Sequence, residues 1–289
     1  MSVLEGSWKH EYITSNGIRL HYVTQGEGPL MLMLHGFPEF WYSWRHLIPE
    51  FAKDFKVVAL DLRGYNESDK PKEQSAYVMA EFIEDVKGVI QGLGYDKCVL
   101  VGHDWGGAIA WNFAYAYPEM LDKLIVLNIP HPAKFAEGFR TPQQLLRSSY
   151  IFFFQIPGLP ELLLQAGDYQ AIESALKGMA VNKNAFTNED IEAYKDAASK
   201  RGALTATLNY YRNVTQQRIL SLDWSVLQVP TLMIWGEKDT ALGKELTYGT
   251  EEYVKDFTIK YIPTSSHWVQ QEQPELVIQY MREFLTARN

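Results

Sequence analysis

The sequence predicts an α/β fold in which a mostly parallel sheet is flanked by helices, with a helical segment inserted after the sixth strand. Three observations carry this. Continuous apolar runs of strand length recur along the 289 residues, the pattern of strands buried on both faces. Stretches with helical spacing lie between most of them, and that alternation belongs to right-handed crossovers in a parallel sheet. The alternation then fails once, between Pro130 and about Leu220, where helical patterns and aromatics continue without a strand.

Taken in order, WKHEYIT and IRLHYVTQG alternate apolar and polar residues around Ser15-Asn16-Gly17, which predicts an opening antiparallel hairpin. LMLMLHG (30–36) is the third strand, followed by helical spacing from Tyr42 to Phe51. FKVVALDL (55–62) is the fourth, followed by a helix from Met79 to Gly92. KCVLVGHD (97–104) leads into a helix from Ala108 to Tyr117, and KLIVLNI (123–129) is the sixth strand. After the insertion, with its turn-rich QIPGLPE, the sheet resumes with TLMIWGEKD (231–239) and FTIKYIP (257–263). A last helix runs from Glu272 to Thr286. The resumption makes the insertion part of one folding unit: a core of residues 1–129 and 221–289 carrying a helical cap at 130–220.

Composition narrows the function. With 46% hydrophobic and 21% charged residues the chain is a globular protein with a sizeable core. A formal charge of −8 without any long Lys/Arg run excludes nucleic acid and anionic membrane as expected partners. The one cysteine, Cys98, lies in the apolar CVLV, reads as a buried small hydrophobe, and suits a reducing, cytoplasmic compartment. MSVLEGSWKHEY has no apolar signal region, and no stretch reaches the ~18 apolar residues of a membrane span. Neither secretion nor anchorage is therefore expected. No His/Cys/Asp cluster has metal-ligand spacing and no glycine-rich nucleotide motif occurs, so neither metal nor cofactor is expected.

Ligands of open parallel sheets bind at the carboxyl ends of strands. Asp104 ends one strand in LVGHDWGG, Asp239 ends TLMIWGEKD, and His267 follows FTIKYIPTSS. A glycine-flanked strand-to-helix turn normally presents a serine there, with an acid and a histidine following in that order. Here the turn presents a carboxylate, and no G-x-S-x-G occurs anywhere in the chain.

The sequence resembles an epoxide hydrolase of the α/β-hydrolase superfamily over almost its whole length. The residues that carry the likeness are HGFPEFWYSWR (35–45), DLRGYNESDKP (61–71), GHDWGG (102–107), SSYIFFFQIPGLPE (148–161), NYYRN (209–213), WGEKD (235–239) and SHWVQQEQP (266–274). The resemblance implies Asp104 as nucleophile, Asp239 as charge-relay acid, His267 as base, and Tyr150 and Tyr211 as the ring-opening phenols. GHDWGG alone also suits haloalkane dehalogenases, and a third reading is a non-catalytic ligand receptor on a hydrolase scaffold.

Residue chemistry points the same way. A carboxylate is already ionised at neutral pH and needs no base to attack. On an sp³ carbon it forms an ordinary ester, which water activated by a histidine can then hydrolyse. The tetrahedral oxyanion of that step requires donors, expected at the backbone N–H groups of Phe37 and Trp105. Epoxide opening makes an alkoxide that needs a proton, whereas a halide needs only N–H donors; position 37 is Phe and the insertion holds no tryptophan. The expected partner is a small apolar epoxide, with Pro38, Trp41 and Phe154, and beside them Phe37, Phe152 and Phe153, as candidate walls of an apolar slot. The chain is expected to be a monomer or homodimer. His35 and His103 are expected to bond backbone, His131 to line the hinge of the insertion, and Asp61 and Arg63 to form a turn pair. Asn66 stands where the resembling sequences carry glycine, and the turn is expected to survive because Asn tolerates positive φ. Ser266 stands where glycine often precedes the histidine.

Overall fold

The structure, a computed structural model, describes residues 3–214 and 224–287. Eight strands form one sheet in the order β1-β2-β4-β3-β5-β6-β7-β8. They are β1 (Lys9–Ser15), β2 (Ile18–Gln25), β3 (Leu30–Leu34), β4 (Lys56–Leu60), β5 (Cys98–His103), β6 (Leu121–Leu127), β7 (Thr231–Gly236) and β8 (Phe257–Ile262). The opening hairpin is antiparallel, β2 joins β4 antiparallel, and every later pairing is parallel. All eight expected strands are thus present. Asn16 and Gly17 take the positive φ that the tight hairpin turn requires.

The helices are α1 (Ile48–Phe51), α2 (Met79–Gly92), α3 (Trp105–Ala116), α4 (Pro132–Gly138), α5 (Pro142–Arg147), α6 (Ser149–Phe153), α7 (Leu159–Met179), α8 (Asn188–Ser199), α9 (Ala203–Val214), α10 (Val269–Glu272) and α11 (Pro274–Thr286). Three differ from expectation. The helix expected from Tyr42 to Phe51 is a 3₁₀ turn over Trp41–Trp44 followed by α1. Pro49, which has no N–H and opens α1, does not continue a preceding turn. The last helix is divided at Gln273, just before Pro274, for the same reason. α3 starts three residues early, at Trp105, because the glycines that hide the helical period are needed for space: a Cβ on Gly106 would strike the carbonyl oxygens of Leu34 and His35.

Apolar residues fill both faces of the sheet. On β3, Leu30, Leu32 and Leu34 face the side covered by α2 and α3, while Met31 and Met33 face the side covered by α1 and α11. Among the described residues six helical elements, α4 to α9, stand between β6 and β7 with no strand, and α7 is broken by non-helical backbone from Ala166 to Tyr169. The expected boundary at 220/221 lies outside the described residues. Among the described residues no helix is long and apolar enough to cross a membrane.

Candidate active site

The position of Asp104 is made by backbone geometry. Asp104 follows β5 and begins α3 with φ 49° and ψ −121°, a conformation few side chains adopt. The turn lifts its carboxylate out of the sheet beside the turn after β3. There the Phe37 N–H donates to Asp104 Oδ1 at 2.9 Å. Trp105 is the first residue of α3, so its N–H has no acceptor within the helix.

Asp239 and His267 reach the same place from the loops after β7 and β8. His267 Nδ1 lies 2.6 Å from Asp239 Oδ2, and its Nε2 lies 3.5 Å from Asp104 Oδ2. Asp239 also accepts from the Ala241 and Leu242 N–H groups and from Asn128 Nδ2. Asn128, at φ 42° after β6, accepts in turn from the Gly236 N–H. A carboxylate with four donors holds the imidazole with Nδ1–H toward itself and Nε2 toward Asp104.

Electrostatics follow from this packing. Burial pushes the Asp104 carboxyl up, but the His267 hydrogen bond and charge, with the Phe37 N–H, outweigh it and hold it below the ordinary carboxylate value. Asp239 is held low in the same way by His267 and its N–H donors. Burial pulls His267 down, yet Asp239 and Asp104 together raise it well above its ordinary value. Burial first, and the Asp104 charge second, drive the Tyr150 and Tyr211 phenols far up, so both stay protonated at neutral pH.

Tyr150 on α6 and Tyr211 on α9 come together, with ring centroids 5.8 Å apart. Both line two cavities that meet at Asp104. The larger, of about 340 Å³, also holds His267, Phe37, Pro38 and Phe154. The smaller, of about 80 Å³, runs past Trp105, Ile129 and Phe135. Pro38 and Phe154 thus line the cavity beside Asp104.

Trp41 does not. It is 1% exposed, packs on Trp8, His10, Phe40 and Tyr42, and gives its N–H to Asp61. Its place in an aromatic run suggests a pocket, but the 3₁₀ turn points the ring into the core. Phe152 is half exposed on the outer side of α6, and Phe153 lines neither cavity. Asp61 and Arg63 do not pair with each other: Asp61 binds His21, and Arg63 makes a double hydrogen bond to Asp85. Asn66 has φ 39° and spans the turn by donating to Asp61.

The histidines divide. His35 bonds backbone on both sides, through the Gly36 carbonyl and the Leu62 N–H. His103 bonds one backbone group, the His267 carbonyl, and one side chain, Glu39. His131 caps α4 through the Ala133 N–H and pairs with the Tyr115 hydroxyl.

Three supporting residues escaped sequence reasoning: Glu39, Asn128 and Glu272. Glu39 is 1% exposed and joins the Gly36 N–H, His103, Gln270 and Gln271 into one buried network behind the site. Its signal in the sequence is a lone carboxylate inside the aromatic HGFPEFWYSW. Among the described residues no group of three or more His, Cys, Asp or Glu is placed to hold a metal ion.

Residues 29–274 match the family of the alpha/beta hydrolase fold. The chain is 48% identical over 273 residues to Epoxide hydrolase 4 of Mus musculus, spanning 92% of this chain and 76% of that protein. It is 47% identical over 292 residues to Epoxide hydrolase 1 of Caenorhabditis elegans, spanning 98% and 72%. The solved Bacillus megaterium epoxide hydrolase in complex with an inhibitor superposes with a TM-score of 0.90 at 40% identity, over 96% of this chain and all of that one. The chain belongs to the alpha/beta hydrolase fold family and, within it, to the epoxide hydrolases.

Proposed function

We propose that this enzyme converts an apolar-substituted epoxide and water into a vicinal diol through an alkyl ester on Asp104. The observation that carries the reading is the pairing of two protonated phenols, Tyr150 and Tyr211, in cavities that also hold the Asp104 carboxylate. Asp104 attacks a ring carbon, the ring C–O bond breaks, and the alkoxide takes its proton from a tyrosine. Alkylation removes the negative charge of Asp104, one of the two that raise His267, so the imidazolium releases its proton to solvent and becomes a base.

Water then attacks the ester carbon with His267 as base and Asp239 stabilising the imidazolium. The oxyanion is received by the N–H groups of Phe37 and Trp105. As the ester collapses, one proton of the water ends on the diol through His267 and the other restores the phenol, while the recharged Asp104 draws a proton from solvent back onto His267. Halide departure needs no proton, so the phenol pair favours an epoxide over a haloalkane. A ligand receptor needs neither a strained nucleophile turn nor an oriented histidine. The same reading divides the chain into a core of residues 1–129 and 221–289 and a cap of residues 130–220 that brings the tyrosines. It takes the enzyme as a cofactor-free cytoplasmic monomer or homodimer, supported by the free, buried Cys98.

A single turnover in oxygen-18 water with enzyme in excess tests the ester. The label is expected in the Asp104 peptide and not in the first diol. Label in the diol alone reduces Asp104 to a general base.

A further inference from the structure

We infer that Gln155 and Arg212 are positioning residues for ring opening: together they clamp α6 to α9 and so set the spacing of the Tyr150 and Tyr211 phenols. The inference rests on the epoxide reading and adds to it how the two proton donors are held. Both residues stand in stretches that carry the family likeness, SSYIFFFQIPGLPE and NYYRN, and neither is among the residues lining the two cavities.

The helix α6 needs such support. It has five residues, Ser149–Phe153, too few to hold a helix in place by its own hydrogen bonds. By contrast α9 is anchored to the core on either side of Tyr211. The Tyr210 hydroxyl donates to the Arg63 carbonyl at 2.6 Å, and Asn213 Nδ2 donates to the Gln74 and Tyr77 carbonyls at 2.8 and 3.0 Å. Gln155, just past the end of α6, ties that helix to the anchored one. Its Nε2 donates to the Ile151 carbonyl at 3.0 Å and to the carbonyl of Tyr211 itself at 2.9 Å. Ile151 adjoins Tyr150, so a single amide joins the backbones that carry the two phenols.

Arg212 makes the second tie. Its Nε donates to the Phe154 carbonyl at 3.1 Å and its Nη2 to the Ile156 carbonyl at 3.3 Å. Glu161, in the first turn of α7, holds the guanidinium in place, with Oε1 2.9 Å from Nη1 and Oε2 3.0 Å from Nη2. A planar fork of five donors serves two carbonyls and a carboxylate at once, which an ammonium does not. Since α9 is fixed to the core, the phenol that shifts when the clamp is cut is Tyr150. Ring opening is the step that feels the shift, because the proton must reach the alkoxide as the C–O bond breaks. Ester hydrolysis depends on Asp104, Asp239 and His267, which are held from the strand-end loops and not from α6 or α9.

Single-turnover rates of Asp104 alkylation and of ester hydrolysis test this in two variants. Gln155→Met removes the donors at nearly constant size, and Arg212→Lys keeps a cation for Glu161 but loses the fork. Each is expected to slow alkylation about tenfold and to leave hydrolysis within about twofold of the wild type. Beside Tyr150→Phe the same substitutions are expected to lose most of that effect, since residues that act through one group are non-additive. Alkylation within about twofold of the wild type, an equal slowing of both steps, or an undiminished slowing beside Tyr150→Phe makes the two residues mere supports of the fold and overturns the inference, leaving the epoxide reading in place. The two variants carry the expectation independently, so misfolding of one leaves the other to decide it. A wild type that no epoxide alkylates at Asp104 overturns the epoxide reading, and this inference with it.

Discussion

In the proposed two-step reaction His267 answers opposite demands. Beside an ionised Asp104 it is a cation that helps keep the nucleophile deprotonated; beside an ester it is a base. Replacing it separates the two roles. His267→Gln is expected to form one substrate-mass adduct on Asp104 and then stall, since only the second step needs the base. Intact-mass spectrometry after exposure to excess epoxide reads this, and an unmodified variant contradicts it. The same substitution removes the largest influence holding the Asp104 carboxyl low. The acid limb of adduct formation, followed as rate against pH, is therefore expected to move to higher pH in His267→Gln than in the wild type. An acid limb that stays in place shows that His267 does not support the ionised nucleophile.

At the scale of elements, the site is a set of loops at strand ends held from behind by buried carboxylates. Glu272, the last residue of α10, does this for the histidine. Its Oε1 accepts from the Ser266 N–H at 2.8 Å and from the Ser266 hydroxyl, while its Oε2 accepts from the Val181 and Asn182 N–H groups at 2.7 and 2.9 Å. Ser266 is thus not a poor substitute for glycine: its hydroxyl adds a bond to the loop. One carboxylate joins the loop before His267 to the segment after α7. Glu272→Ala strips the buried Ser266 N–H and hydroxyl of their partner and is expected to cost about 3 kcal/mol in denaturant unfolding. It is also expected to lower turnover in the folded fraction. A loss below about 1 kcal/mol means that water or a rearranged loop satisfies those donors as well.

For the whole molecule, histidines whose titration is shifted by the fold set the pH range of stability. Burial, with Lys134 behind it, lowers His131 to about 3, and burial with Arg45 lowers His46 to about 4. Both bind protons more readily when unfolded, so each destabilises the fold as pH falls below their ordinary value of about 6.5. Glu39 and Asp61, held low by His103 and His21 against the cost of burial, add a further loss once pH falls through their depressed folded values. His267 has the opposite sign. Its raised value gives stability that is fully present below about 6.5 and is lost as pH rises through the folded value. The Tm is therefore expected to peak near pH 6.5 and to decline on both sides, in thermal unfolding across a pH series. A Tm that rises steadily into the acid range contradicts the lowered values of His131 and His46.

The sequence by itself determined the α/β class, all eight strands, the insertion after β6, and the order Asp104, Asp239, His267. These follow from local physics: apolar runs mark strands buried on both faces, and their polar ends mark where a parallel sheet binds ligands. Helix boundaries at Trp105 and Gln273 were less legible, because glycines demanded by close packing and a proline interrupt the helical period without saying which way the chain turns. Only the tertiary structure decided what a side chain meets. Trp41 and Phe154 both occur in aromatic runs, yet one ring enters the core and the other the cavity, since a short turn and a cap helix aim them differently. Asp61 and Arg63 are two residues apart, yet their partners are His21 and Asp85, from distant strands and helices. Glu39, Asn128 and Glu272 act through contacts between segments far apart in the chain, and no spacing within one segment encodes such contacts.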